Sequence, residues 1–126
     1  MKWLDKYADF AYALLRIMAG LMFAFHGAQK LLGLFAQSPP PAGSQLWFAG
    51  IIELFGGLAV MLGLGTRLAA LICSGEMAVA YFQVHWKFQL NSQFFPIVNQ
   101  GELAALYCFV FLLVVFRGGV KWSLGK

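Results

Sequence analysis

The chain has 126 residues, room for one compact soluble domain or about four membrane-spanning helices of roughly 20 residues each. Hydrophobic residues make up 61% of it and charged residues 11%, against about 45–50% and about 25% in ordinary soluble domains. Nine basic and five acidic side chains cannot cover a soluble surface, and the mean hydropathy of +0.75 agrees. Composition therefore indicates an integral membrane protein and excludes disorder, a disulfide scaffold and a nucleic-acid-binding domain. The net charge of +4 is spread singly along apolar segments, with no basic stripe to follow a phosphate backbone.

In chain order, a short charged stretch leads into an apolar run over about 10–35. Arg16 interrupts that run and no small-residue cleavage site follows, so it is expected to be a retained first helix rather than a signal peptide. Ser38-Pro39-Pro40-Pro41-Ala42-Gly43 ends it, because three prolines remove backbone donors and fix φ. A second helix is expected over about 46–64 and a third over about 68–86. The tight turn Gly63-Leu64-Gly65-Thr66-Arg67 makes these two antiparallel neighbours. Lys87 to Gly101 is polar, carries Pro96 and reads as a loop. Asn99 and Glu102 have the spacing of a capping box, which starts a fourth helix over about 102–116. The expected fold is all-α: a four-transmembrane-helix bundle forming one integral membrane domain over residues 1–126.

Basic residues set the orientation. Lys2, Lys6, Arg67, Arg117, Lys121 and Lys126 fall on one side of this bundle, and Lys30 and Lys87 near the other. Both termini are therefore expected to be cytoplasmic, in the plasma (bacterial inner) membrane. Trp3, Trp47, Trp86 and Trp122 lie near predicted helix ends, where an aromatic belt places them. Cys73 and Cys108 sit inside apolar runs and read as small hydrophobes, not as a redox pair.

Ionisable residues inside a bilayer cost at least about 2.5–3.5 kcal/mol and must face the bundle or water. Here they are Arg16, His26, Lys30, Glu53, Glu76, His85 and Glu102. Apart from Arg16 they crowd into the outer half. His26 and Glu53 each lie roughly 10 Å below the outer helix ends, at 1.5 Å per residue. His26, Gln29 and Lys30 share one face of the first helix at i, i+3, i+4 spacing. Glu53 shares its face with Gly50, Gly56 and Gly57, small residues that admit a close neighbour. Glu76 and His85 point in nearly opposite directions on a straight helix, so one pocket holding both needs a bend and is not assumed.

Four expectations follow. His26 and Glu53 form a catalytic or proton-exchanging pair, with Gln29, Lys30, Tyr81 and His85 as ligand-binding residues. Arg16 and Glu76, about one helical turn apart in depth, form a structural ion pair. Asn99 and Glu102 cap the fourth helix. No ligand spacing for a metal is present, and the two histidines lie at unequal depths, which disfavours haem ligation.

The segments LLRIMAGLMFAFHGAQKLLGLF, FAGIIELFGGLAVMLGLGTRLAAL, MAVAYFQVH, NQGELAALY and the closing WSL together resemble the DoxX family of small membrane proteins. The resemblance spans essentially the whole chain and implies a four-helix membrane fold. Some relatives are associated with thiosulfate–quinone oxidoreduction, and others with membrane oxidoreductase assemblies linked to oxidative stress. Matched to the family pattern, the polar signature is Arg16, His26, Gln29, Lys30, Glu53, Glu76, Tyr81, His85, Asn99 and Glu102. Relatives often carry a Gly-rich segment before the proline where this chain has Gln93-Phe94-Phe95, which implies an outer loop of different shape.

The leading functional expectation is the membrane subunit of a redox system, with a quinone-like apolar ligand held between the helices. Such a site needs an apolar slot, hydrogen-bond donors for the carbonyls and groups that exchange protons. No flavin or nicotinamide fingerprint is present, so electrons would come from a partner protein. The alternatives are a small oligomeric transporter, and a structural or assembly subunit of a larger membrane complex. Beyond the lipid bilayer, the expected partners are further copies of the chain or other subunits.

Overall fold

With no water in a bilayer core to satisfy backbone polar groups, an apolar chain closes its hydrogen bonds within helices. The computed structural model describes residues 1–34, 38–89 and 91–125, and its regular structure over those residues is helical throughout. A 3₁₀ stretch, Lys2–Tyr7, runs into α1, Ala8–Leu32. Gly33, in left-handed conformation, closes α1 by donating its N–H to the Gln29 carbonyl. The expected end at Phe35 lies outside the described residues. Helix α2 is Gln45–Leu62 and α3 is Thr66–Trp86; α4 is Glu102–Arg117. Ser44 starts α2 by accepting a hydrogen bond from the Trp47 N–H at 3.2 Å. Gly63 and Gly65, at φ +73° and +52°, make the tight turn that sends α3 back beside α2.

Among the described residues, Lys2–Leu32, Gln45–Leu62 and Thr66–Trp86 are long and apolar enough to cross a membrane. At 16 residues α4 is shorter, roughly 24 Å at 1.5 Å per residue. Between its end residues Glu102 and Arg117 its exposed side chains are nonetheless all apolar, among them Leu106, Phe109, Leu113 and Phe116. Exposed Leu14, Met18, Met22 and Phe25 do the same along α1. A surface of this kind suits lipid rather than water.

Helices α1 and α2 meet backbone to backbone. A Cβ on Gly20 would lie 2.6 Å from the Gly57 carbonyl oxygen, and one on Gly27 would lie 2.6 Å from the Leu54 Cα. Association through small residues replaces the hydrophobic drive that lipid removes. Gly27→Ala should therefore cost at least about 3 kcal/mol, since backbone cannot yield as a side-chain tip does. Gly75→Ala, where a Cβ meets open space, should be neutral or stabilising by up to about 1 kcal/mol. Thermal unfolding of the two variants in detergent checks the contrast. Helices α3 and α4 pack through Ala70, Cys73, Met77, Ala104, Phe111 and Val114, and Ser74 donates to the Cys108 carbonyl at 2.8 Å.

Two expectations are corrected in this frame. Asn99 and Glu102 do not form a cap: the residue preceding α4 is Gly101, with no side-chain capping bond. Gln100, at φ +65°, turns the chain away, and the Asn99 Oδ1 accepts from the Gly101 N–H at 2.8 Å instead. The loop before it carries two helical turns, Ser92–Phe94 and Pro96–Asn99; proline suits the first helical position because its missing N–H is not needed there.

Arg16 does not pair with Glu76. The chain after α4 folds back over the end that holds the N-terminal stretch and the α2–α3 turn, where Leu124 and Gly125 donate to the carbonyls of Leu62 and Gly63. There the fully buried Arg16 guanidinium donates from Nη1 to the Val60 and Met61 carbonyls at 2.6 and 2.8 Å. Nη2 reaches the carbonyls of Lys121 (2.6 Å) and Trp122 (3.0 Å), and Nε that of Gly119 (3.0 Å). All five guanidinium N–H groups are thus matched to carbonyl oxygens. Similar depth made Glu76 a plausible partner, but depth does not encode which way each side chain faces.

Candidate functional site

Near their connecting turn α2 and α3 touch, and toward the opposite end, the one holding the two longer loops, they diverge. The loop-end part of α2 stays against α1, and α3 runs along α4. A cavity of about 810 Å³ fills the gap, lined by residues of all four helices. Its walls are largely apolar, among them Phe23, Phe48, Ile52, Ile72 and Val79. Phe48, Ile72 and Val79 are exposed at its side, so the cavity opens laterally between α2 and α3. One hydrogen bond bridges that opening, from Gln45 Nε2 to Gln83 Oε1 at 2.6 Å.

Five of the expected site residues line this cavity: His26, Lys30, Glu53, Glu76 and His85. Their pairing differs from expectation. Glu53, 1% exposed, takes Lys30 as its ion-pair partner at 2.5 Å, not His26. Lys30 sits one turn beyond His26 on the same face of α1, and its longer side chain reaches back to the carboxylate. The His26 ring stands edge-on to Tyr107, 6.2 Å between centroids. The carboxyl of Glu76 lies beside that of Glu53. Its Oε2 is buried without a hydrogen-bond partner among the described residues.

Two π-helical turns produce this convergence. One, Ile52–Gly56, contains Glu53; the other, Tyr81–Trp86, contains His85. The wider i→i+5 spacing slows the rotation of side chains around the axis; in the second turn the Lys87 N–H bonds to the Phe82 carbonyl at 2.9 Å. Glu76 and His85, nearly opposed on an ideal helix, consequently face one cavity. Such turns recur at functional sites because they re-aim side chains without ending the helix.

Gln29 and Tyr81 are not among the residues lining the cavity. Tyr81 donates to the Phe94 carbonyl at 2.9 Å and accepts from Asn99 Nδ2 at 3.1 Å, which makes it a brace for the loop. Glu102 is exposed. Sequence reasoning missed Tyr107, whose hydroxyl is buried, unpartnered among the described residues and part of the cavity lining. Its ring is fixed by Phe23 at 5.1 Å and Phe111 at 5.6 Å. The available signal was a tyrosine in the interior of an apolar helix rather than at its end. Gln45 and Gln83 were missed as well. Among the described residues no three His, Cys, Asp or Glu side chains group as a metal site.

No solved structure matches the chain. An uncharacterized protein of Haemophilus influenzae is 44% identical over 122 residues, covering 94% of this chain and 90% of that protein. The sequence model of the DoxX family matches residues 11–86, which include α2, α3 and all five of the ionisable side chains named above as lining the cavity. With more than half of its length matched, the chain belongs to the DoxX family.

Proposed function

We propose that this chain is the membrane subunit of a redox system and takes a quinone-like apolar ligand in the cavity between its helices. The observation that carries this reading is the pair of unpartnered buried polar atoms facing a largely apolar space: the Tyr107 hydroxyl and Glu76 Oε2. Each such group costs about 1–3 kcal/mol when left unmatched. A ring bearing oxygens relieves both, accepting from Tyr107 and, in its hydroxyl form, donating to Glu76. A volume of about 810 Å³ lies within the range of small-molecule sites, about 300–1,000 Å³. When bound, a quinone supplies reversible uptake of two electrons and two protons. Two carboxyls and one ammonium, Glu53, Glu76 and Lys30, can hold an exchangeable proton beside it. Electrons come from a partner protein, since the chain has no flavin or nicotinamide fingerprint.

Tyr107→Phe separates this site from a merely structural network. Removing an unmatched hydroxyl should leave the ligand-free protein equally stable, or more stable by about 1 kcal/mol. Binding of a short-chain ubiquinone analogue, read by quenching of tryptophan fluorescence, should weaken about tenfold, equivalent to about 1.4 kcal/mol. Unchanged affinity in this variant and in Glu76→Gln would defeat the reading.

The same reading has four membrane crossings, with both termini on the cytoplasmic side of the bacterial inner membrane. Arg67, Arg117 and Lys121 cluster with the N-terminal lysines at one end, which the positive-inside rule makes cytoplasmic. A cysteine placed in Pro39–Gly43 should react with an impermeant reagent added outside intact cells. Reaction only after permeabilisation would invert the orientation.

A further inference from the structure

A second, smaller cavity of about 380 Å³ lies at the loop end, lined by the polar side chains of Lys87, Gln89, Gln93, Asn99 and Gln100. It shares Val84, His85 and Gln100 with the lipid-side cavity. His85 is therefore part of the wall between an apolar chamber and a polar one that faces water. From this, and resting on the ligand reading above, we infer that His85 is the port through which the buried carboxyls exchange protons with the aqueous phase at the loop end.

The imidazole is positioned with care. Its Nδ1 lies 3.3 Å from the Asn99 carbonyl. A carbonyl only accepts, so Nδ1 carries the hydrogen and Nε2 is the nitrogen that takes up and gives back a proton. Asn99 is itself immobilised: 8% exposed, it donates to Tyr81 and to the Gln93 carbonyl and accepts from Gly101. A Cβ on Gly101 would meet the His85 Cβ at 2.9 Å and the Tyr81 ring at 2.8 Å, so only glycine lets the loop close on this histidine. Lys87 and Gln100, which flank the wall, hold left-handed backbone at φ +57° and +65°. Conformations of this sort cost about 1–3 kcal/mol and persist only where surroundings enforce them.

The transfer balances without any electron. A hydronium ion in the polar chamber gives a proton to Nε2 and becomes water, and the imidazolium then passes the Nε2 proton to a cavity carboxylate, which becomes the acid; the reverse sequence carries a proton out. The titratable groups that share the cavity with His85 are His26 and Lys30 from α1, Glu53 from α2, Glu76 from α3 and Tyr107 from α4, and Tyr81 lies with His85 against Gly101. Lys87 faces His85 from the loop side.

The test follows the carboxyl stretching band of the full chain in liposomes by infrared spectroscopy after a pH step. The step is centred where that band titrates in the wild type. The cavity share is the part lost in Glu53→Gln with Glu76→Gln, and the surface carboxyls serve as an internal clock. His85→Asn keeps a donor for the Asn99 carbonyl but cannot carry a proton. It should slow the cavity relaxation at least tenfold, leave the surface carboxyls unchanged and recover speed with added imidazole. An unchanged rate, or slowing that imidazole does not relieve, overturns the port. Should His85→Asn fail to fold, Gln93→Cys purified in folded form and capped with a bulky maleimide blocks the same chamber. Capping should slow relaxation to a similar degree, and no effect overturns the port equally. Binding of the ubiquinone analogue is measured in parallel: its absence in the wild type counts against the ligand reading alone, because carboxyl relaxation does not depend on it.

Discussion

Glu53→Ala is expected to destabilise the bundle by about 3 kcal/mol and to abolish ligand binding. The stability loss comes from Lys30, left charged beside an apolar cavity with its partner gone. The value belongs at the lower end of the usual 3–5 kcal/mol for a broken buried pair, because the Lys30 side chain is 29% exposed and can turn toward the loop end. Replacing both partners, Lys30→Met with Glu53→Leu, should recover most of the stability, since an ion pair in low dielectric barely repays its own desolvation. Binding should stay lost in the double variant. Thermal unfolding in detergent, run beside titration with the ubiquinone analogue, separates the two roles. A double variant that regains affinity would make the pair a structural element only.

Arg16→Ala is expected to have the largest effect on folding, above about 4 kcal/mol. Five backbone carbonyls from two segments, 60–61 and 119–122, converge on one guanidinium, and each buried acceptor left unmatched costs about 1–3 kcal/mol. Relaxation of the segment after α4 offsets part of that sum. Arg16→Lys should recover little, because an ammonium has three donors on a point charge where five planar donors are needed. Limited proteolysis should cut the variants between Gly118 and Leu124, where the wild type is protected. If Arg16→Lys melts at the wild-type temperature, the clamp contributes far less than its geometry suggests.

The helices were legible because two strong signals agree along this chain. Long apolar runs mark the spans, and Pro39–Pro41, Gly63 and Gly65 mark the breaks. The concentration of ionisable residues toward one end was legible too, and the cavity is there. What sequence did not disclose is rotation. A periodicity argument assumes about 100° per residue, and the π turns at Ile52–Gly56 and Tyr81–Trp86 depart from it. That departure brings His85 to the side of Glu76. Depth matched Arg16 to Glu76, and depth with inward-pointing faces matched His26 to Glu53, yet the observed partners are backbone carbonyls and Lys30. Backbone carbonyls of a distant segment leave no residue-type signal at all. Tyr107 escaped because tyrosine in an apolar helix looks like core until its hydroxyl is found without a partner.

The Arg16 clamp also sets an order of assembly. Two of its ligands, the carbonyls of Val60 and Met61, lie 44 and 45 residues downstream; the other three lie 103 to 106 residues downstream. At about 5–20 residues per second of synthesis, the guanidinium waits roughly 5–20 s between entering the membrane and meeting its last acceptors. For the later part of that interval, with Val60 and Met61 in place, two of its five N–H groups are matched and three wait. Arrival of residues 119–122 ends it. Residues 119–122 thus complete a clamp that the first two helices can only begin, and a chain stopped before residue 119 should be the more readily cut by protease.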